Sequence, residues 1–293
     1  MTSGILPSVR IARRCLAAGL LSAVWTIAVS ALGQSASTTE GEQPAILNAD
    51  AGQLLTLANL ARAAAGASPL EWDSSLAAAA LKHCLRMPHG GPISHRYDGE
   101  PELAERDDLA GAHFSVIAEN IGAAASSDEI QQGWMESQEH RDNLLNRDVD
   151  RVGIAVVGSG GFVYVVADYA RSVPVLTRDQ VEATFAGLLQ ARGLRILKDS
   201  RDARAYCAQS QEVAGAVLRS KPSYLLRWQN PDVTQLPELL LRRLNAVRYR
   251  EAAVGSCPPK KLENSFTVYR VAVLLYAAGD SSQVRPFFSP NGW

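Results

Sequence analysis

Apolar residues recur with helical spacing over residues 48–65, where leucine and alanine positions fall on one stripe that Gly66 closes. The segment 70–72 (LEW) favours a short strand. Asp73 is then placed to cap a second helix, rich in alanine and leucine, that runs to about residue 87. The first part of the chain is therefore predicted to place two helices around a short strand.

The stretch 119–146 concentrates polar groups around one tryptophan and reads ENIGAAASSDEIQQGWMESQEHRDNLLN. Its first four residues predict a turn, because Gly122 and the small residues after it interrupt any regular pattern. The next segment, 127–140, predicts a helix with acidic residues in its first turn. On a continuous helix Glu136 and His140 would lie on one face, since they are four residues apart.

Two apolar runs, 152–159 and 162–170, flank Gly160-Gly161 and predict a β-hairpin. Helices, a hairpin and long polar loops together favour an α+β sandwich over residues 48–171.

The remaining segment, 172–293, predicts a second, small α+β domain. Its strands at 250–257 and 266–277 resemble the earlier hairpin, with AAVGS at 252–256 against AVVGS at 155–159. We interpret this domain as an accessory unit and a degenerate, histidine-free repeat of the first.

The N-terminal residues have the pattern of a targeting segment. Three arginines precede an uncharged stretch, Cys15–Gly33, which ends in a small-x-small site. We therefore expect a signal peptide over 1–33 that is cleaved, followed by a polar linker over 34–47. The alternative is an uncleaved anchor, for which the apolar run is long enough. An export route to the periplasm or the exterior follows, with no transmembrane segment left after cleavage.

Charge is distributed unevenly along the chain. Lys and Arg against Asp and Glu number 3 against 0 in residues 1–33, 9 against 20 in 34–171 and 17 against 10 in 172–293, consistent with the formal net charge of −1. The acidic and basic domains could dock on each other or on a partner, or the basic one could bind an anionic polymer. We expect no nucleic-acid partner.

Three cysteines remain after the expected cleavage, an odd number for an exported protein. We predict a disulfide between Cys207 and Cys257, with Cys84 buried as a small apolar residue. The alternative is that all three are reduced.

Eight short motifs occur in an order and spacing that resemble the CAP superfamily, or SCP domain, of cysteine-rich secretory, antigen 5 and pathogenesis-related proteins. They span roughly residues 50–171 and are similar to those of bacterial members. They are Asn59-x-x-Arg62, Leu70-x-Trp72, Ala80-x-x-His83, Ser94-His95, ENI from Glu119, WM-x-S-x-x-HR-x-N-L-L from Trp134, VGIAVV and YVVADYA. The resemblance implies an α-β-α sandwich with a central antiparallel sheet.

The resemblance also implies a cavity lined by two histidines and two acidic residues, sometimes occupied by zinc. Carried over to this chain, these are His95, His140 and Glu119, and the second acid is in doubt. The family position for that acid holds Ser137, so Glu136, one residue earlier, is the remaining candidate. Either His95 and His140 hold a divalent metal such as zinc, or the site needs no cofactor.

These residues leave three functions open. The chain could be a non-enzymatic module that binds a lipid, peptide or cell-wall ligand. It could be a metal-assisted hydrolase that uses His95, His140 and Glu119, although no recognisable Ser or Cys nucleophile motif accompanies them. It could also be a structural or interaction protein, in which Glu119 and His140 merely tie a loop to a helix.

Overall fold

A computed structural model describes residues 45–209, 218–257, 260–261 and 265–277 of the 293-residue chain. The predicted signal peptide and all but the last three residues of the linker lie outside the described residues. Within the described ranges, no helix is long and apolar enough to cross a membrane. The helices are α1 Asn48–Ala64, α2 Ser74–Cys84, α3 Leu103–Leu109, α4 Ser127–Glu136, α5 Gln138–Leu145, α6 Arg178–Gln190, α7 Arg201–Ala208 and α8 Glu238–Ala246. The strands are β1 Ala45–Ile46, β2 Glu71–Trp72, β3 Phe114–Ala124, β4 Arg151–Ser159, β5 Phe162–Ser172, β6 Arg195–Ile196, β7 Tyr224–Asn230, β8 Tyr249–Ser256, β9 Lys260–Lys261 and β10 Thr267–Ala277.

The first unit (residues 45–172) is an α-β-α sandwich, as the resemblance implied. Its sheet has the order β1-β4-β5-β3, with β2 pairing in parallel with β4. Side chains of β4 alternate between the two faces: Val152 and Ile154 pack in the core with α1 and α4, whereas Ala155 and Val157 pack in the core with α2. The hairpin turn is also confirmed, since Gly160 and Gly161 have φ of 57° and 78°, as a type I′ turn requires.

The predicted turn at ENIG is wrong, because residues 119–122 lie inside the eleven-residue strand β3. Gly122 is needed there for close packing rather than for a turn. A Cβ at that position would lie 2.9 Å from Cγ2 of Ile130 and 3.3 Å from Nε1 of Trp134. The same indole nitrogen donates to the carbonyl of Ile121 at 3.0 Å, so the glycine lets α4 lie directly on the strand.

The predicted helix over 127–140 is two helices. Ser137 has φ −83° and ψ 125°, an extended conformation that ends α4 and precedes α5. Serine competes with helical hydrogen bonding through its own side chain and favours helix ends, which makes it a natural break point. Glu136 and His140 consequently belong to different helices and do not share one helical face.

The second unit (residues 173–277) repeats the connectivity of the first. Its sheet has the order β6-β8-β10-β7, with β6 parallel to β8 as β2 is to β4. Helices α6 and α8 contribute to the core on one face, and α7 packs on the other. The similarity that the sequence indicated for the last hairpin thus extends to the order of helices and strands in the whole unit.

A close helix-to-strand contact occurs in both units and depends on glycine. A Cβ on Gly153 in β4 would lie 2.0 Å from the backbone nitrogen of Ala77 in α2, and a Cβ on Gly255 in β8 would lie 2.3 Å from that of Arg204 in α7. By this packing criterion Gly255 corresponds to Gly153. The alignment of AVVGS with AAVGS had instead matched it to Gly158.

Contacts described between the two units include aromatic and polar groups. Phe114 and Phe266 meet edge to face at 5.4 Å, and Oγ1 of Thr267 lies 3.4 Å from Nδ1 of His113. The predicted disulfide is confirmed: Cys207 and Cys257 are bonded within the second unit. Cys84 is free and buried, and burial raises the pKa of its thiol to about 12.

Candidate functional site

The site candidates converge at the edge strand β3. Glu119 lies on this strand, and His95 comes from the loop between α2 and α3. His140 comes from α5, which packs against the same strand. Because β3 is the last strand in the order β1-β4-β5-β3, one side of it is open to a helix and a loop.

A short chain of charged groups runs from the interior to the surface. Nδ1 of His95 lies 2.7 Å from Oε1 of Glu119, and the guanidinium of Arg106 forms an ion pair with Oε2. The side chain of Glu119 is 2% exposed and that of His95 is 60% exposed. Arg106 also donates from Nη1 to the carbonyl of His95 at 2.9 Å, which fixes the loop to the strand.

This arrangement has two chemical consequences. Both carboxylate oxygens of Glu119 are occupied, one by an imidazole and one by a guanidinium, so this acid orients other groups. The hydrogen bond to Glu119 raises the pKa of His95, although partial burial opposes it. His95 is therefore protonated more readily than a free imidazole, and its other ring nitrogen is directed away from Glu119.

His140 is held from its backbone. The side-chain amide of Asn120 donates to the carbonyl of His140 at 2.9 Å, and Asn143 donates to Asn120 at 3.0 Å. Burial lowers the pKa of His140, and the nearby positive charge of His95 lowers it further. The two imidazoles are thus biased in opposite directions, His95 toward the cation and His140 toward the neutral form.

The buried Arg62 secures the far end of α5. Its guanidinium donates to the backbone carbonyls of Ser68, Leu144, Asn146 and Val149 at 2.7 to 3.1 Å. Because Arg62 is fully buried and donates only to backbone carbonyls, its role is structural. It holds in place the end of the helix that carries His140.

Glu136 does not join this site. Its side chain lies on exposed α4 surface and accepts from Gln132 on the same helix at 2.8 Å. The break at Ser137 directs α5 differently from α4, which separates Glu136 from His140. The structure therefore brings together His95, Glu119 and His140, and leaves out the fourth candidate.

Sequence reasoning missed Arg106 and two buried acids. Arg106 was visible only as one basic residue in the acidic segment ELAERDD, a weak signal. Asp107 and Asp168 are fully buried, and no other described group donates a hydrogen bond to their side-chain oxygens. If one of the two acids is protonated, it can donate to the other. Burial raises the pKa of Asp107 to about 7 and holds the pKa of Asp168 well above its ordinary range. Register pairs Asp168 with Glu119, so this acid pair lies directly beside the site.

An open pocket of about 540 Å³ adjoins His95. Ser94 and Arg96, its chain neighbours, line this pocket together with apolar, aromatic and basic side chains. The remaining lining residues are Arg86, Gly90, Pro92, Ile93, Tyr97 and Asp98. The guanidinium carbon of Arg86 lies 6.0 Å from the ring centroid of Tyr97, so this pocket offers both a cation and an aromatic surface.

The donors present do not fit a tightly bound zinc ion. Zinc sites in hydrolases use three protein ligands, and both oxygens of Glu119 are already engaged by His95 and Arg106. Across the described residues, no group of three or more His, Cys, Asp or Glu side chains is placed to hold a metal ion. The site offers two imidazoles and an orienting carboxylate.

Comparison with known proteins agrees with this fold. The family model for the cysteine-rich secretory protein family, CAP, matches residues 55–169. The uncharacterized membrane protein YlbC of Bacillus subtilis is 31% identical over 105 residues, 36% of this chain and 30% of that protein. The uncharacterized protein YkwD of the same organism is 26% identical over 128 residues, 42% of this chain and 49% of that protein. The chain thus covers less than half of either relative.

Among solved structures, an extracellular protein containing a SCP domain from Bacillus anthracis is 27% identical, with a TM-score of 0.40. The match covers 43% of this chain and 41% of that one. The motifs from Asn59 to Tyr169 lie within the segment that the family model matches, and they build the sandwich and the site at its edge strand. Residues 55–169 are therefore a domain of the cysteine-rich secretory protein, or CAP, family.

Proposed function

We propose that this chain is an exported CAP-domain protein that binds a lipid, peptide or cell-wall ligand at the surface around His95, without transforming it. The observation that carries the proposal is the saturation of Glu119, whose two oxygens are held by His95 and Arg106. A carboxylate held in this way is a poor general base and a poor metal ligand. It is well suited to orient an imidazole.

The exposed ring of His95 is the proposed contact to the ligand. When protonated, this imidazole donates hydrogen bonds, so we expect it to bind a carboxylate, phosphate or carbonyl oxygen of the ligand. The adjoining pocket supplies Tyr97 and Ile93 for an apolar or ring-shaped part of the same ligand.

Export is proposed from two independent features. The N-terminal 33 residues have the pattern of a signal peptide, and the second unit contains a disulfide. Disulfides persist in oxidising compartments, in agreement with a protein that works outside the cytoplasm. Mass spectrometry of the exported protein should find an N-terminus near residue 34.

The test compares wild type with His95→Ala, His95→Ala/His140→Ala and the control His89→Ala. His89 is an exposed histidine outside the site, so the control removes an imidazole without touching it. Protein purified from its native envelope is analysed by native mass spectrometry for co-purifying ligand and by elemental analysis for metal. We expect ligand on wild type and control, loss on His95→Ala, and no stoichiometric zinc on any of them.

This proposal would be overturned if His89→Ala retained stoichiometric zinc and the double variant lost it. Circular dichroism would have to show that the double variant is still folded. That outcome would favour the metal-assisted hydrolase that uses His95, His140 and Glu119. Substrate screening of the zinc-loaded protein would then be the next step.

A further inference from the structure

Three strands of the second sheet begin at the same end of that sheet. Strands β7 and β8 both run antiparallel to β10, and β6 runs parallel to β8. Their first residues therefore lie together, where β10 ends. A basic residue comes within three positions of each start: Arg192 before β6, Lys221 before β7 and Arg248 before β8.

All three side chains are exposed, as is Arg250 at the start of β8. We call these four residues the basic end. Three acids are described beside the end of β10: Glu251 pairs with Arg195, Asp199 pairs with Arg201, and Asp202 accepts from the backbone nitrogen and the hydroxyl of Ser220. Only Asp202 has no described ion pair, against four exposed cations. The positive charge of the basic end is therefore not cancelled by these neighbours.

An arginine between two tyrosines lies at this end as well. The guanidinium carbon of Arg243 lies 4.8 Å from the ring centroid of Tyr224 and 5.9 Å from that of Tyr249. Its Nε donates to the hydroxyl of Tyr249 at 2.7 Å. Tyrosine has an apolar ring and a polar tip, a combination that suits the boundary between water and lipid.

The fold itself does not require basic residues at these positions. In the first unit, the three positions before each of β2, β3 and β4 hold no lysine or arginine, and Arg151 at the start of β4 is paired with Glu71 at 2.9 Å. The basic end is therefore a property of this second unit and not of the shared connectivity. It also accounts for part of the excess of 17 Lys and Arg over 10 Asp and Glu in residues 172–293.

We propose that the basic end docks the protein on an anionic phospholipid surface. The four strands from β6 to β7 span about 14 Å at roughly 4.8 Å between neighbours, so the charges are spread across the end of the sheet. Exposed cations on separate segments at one end of the sheet can meet a flat surface at the same time. Such an anionic surface attracts each Lys or Arg within a Debye length.

The experiment is co-sedimentation of the full mature chain with vesicles of phosphatidylcholine alone or of phosphatidylcholine mixed with phosphatidylglycerol. The test variant is Arg192→Gln/Lys221→Gln/Arg248→Gln. The matched control, Lys82→Gln/Arg178→Gln/Lys198→Gln, removes the same charge from exposed positions elsewhere. We expect wild type and control to bind only the anionic vesicles, and the test variant to bind them on the order of 100-fold more weakly.

Salt should reduce wild-type binding, because exposed charges are screened. Equal loss in both triple variants, or equal binding to neutral vesicles, would overturn the proposal. So would capture by immobilised polyphosphate without any vesicle binding, since the basic end would then serve a soluble polymer. Circular dichroism checks the fold, and each single substitution, expected to weaken binding about 5-fold, supplies the test if the triple variant misfolds. His95→Ala should bind vesicles as wild type does, which separates this proposal from the one on the ligand site.

Discussion

Replacing Asp107 by asparagine is expected to stabilise the first unit at neutral pH. Asp107 is fully buried on α3, and the charged groups that act on it are Asp168 on β5, Glu119 on β3, Arg106 on its own helix and Asp73 at the start of α2. Burial opposes its ionisation most strongly, and two of the neighbouring acids add to that. An amide of nearly the same shape keeps a donor for Asp168 and cannot ionise.

The magnitude follows from the raised pKa of Asp107. That pKa is about 7 in the fold, against an ordinary value of 3.8. At about 1.4 kcal/mol for each pH unit, the difference corresponds to about 4 kcal/mol. Because the folded value is the higher one, stability is intact below the unfolded pKa and is lost as pH rises to about 7, above which the loss is constant. The gain of Asp107→Asn over wild type should thus approach zero near pH 4 and reach about 4 kcal/mol near pH 8.

Hydrogen exchange measured by mass spectrometry on peptides of β5 is the suitable assay. It reports the free energy of opening for the first unit alone, whereas global unfolding of the whole chain would mix the two units. The control is Glu105→Gln, an exposed acid on the same helix, which should follow wild type at every pH. Comparing variant with wild type also removes the opposite pH dependence of Glu100 and Glu182, whose pKa values are lowered.

A gain that is the same at pH 5 and at pH 8 would refute the reasoning, because it would come from packing and not from ionisation. A loss of stability at neutral pH would refute it as well. That result would mean that the hydrogen bond between the carboxyl groups of Asp107 and Asp168 stabilises the fold by more than the buried charge destabilises it.

Three further changes test the architecture. Gly153→Ala should destabilise the first unit by more than about 3 kcal/mol, because the added Cβ would lie 2.0 Å from the α2 backbone. The control Gly52→Ala, in open space on α1, should instead stabilise that unit by about 0.5–1 kcal/mol. Hydrogen exchange measures both changes. Arg62→Met should cost about 3–5 kcal/mol in the same assay, since it leaves four buried or part-buried carbonyls without their donor. Replacing Cys207 and Cys257 by serine should lower the melting temperature of the second unit. For a sequence separation of 50, the lost restriction of the unfolded chain corresponds to about 4 kcal/mol of stability. An unchanged melting temperature would contradict this.

Local patterns were sufficient for much of the fold. Asp73 accepts from the backbone nitrogens of Ser75 and Leu76, as its position before an alanine-rich helix predicts. The Gly160-Gly161 hairpin is equally local, because two neighbouring glycines set the backbone angles of the turn. Short-range signals of this kind are independent of what packs on the element from elsewhere.

One error occurred where a distant element decided the local structure, and another where a single residue broke a helix. Gly122 indicated a turn in the sequence, but it is in a strand because Trp134 and Ile130 need the space above it. Similarly, Glu136 and His140 have helical spacing, but the extended backbone of Ser137 separates them. The spacing of residues along the chain predicts neither tertiary packing nor the backbone angles of a single serine.

The candidate site divides in the same way. His95, Glu119 and His140 followed from the motif order, because their residue types and sequence positions match those of the family. The state of these residues depends on the three-dimensional neighbours: Arg106 occupies the second oxygen of Glu119, and Asp168 lies beside it on the adjacent strand. By itself the sequence determined which residues have groups able to bind, together with the order of helices and strands. Only the tertiary structure decided that Glu119 orients His95 and that the fourth candidate lies outside the site, because hydrogen-bond saturation and burial depend on residues far apart in the chain.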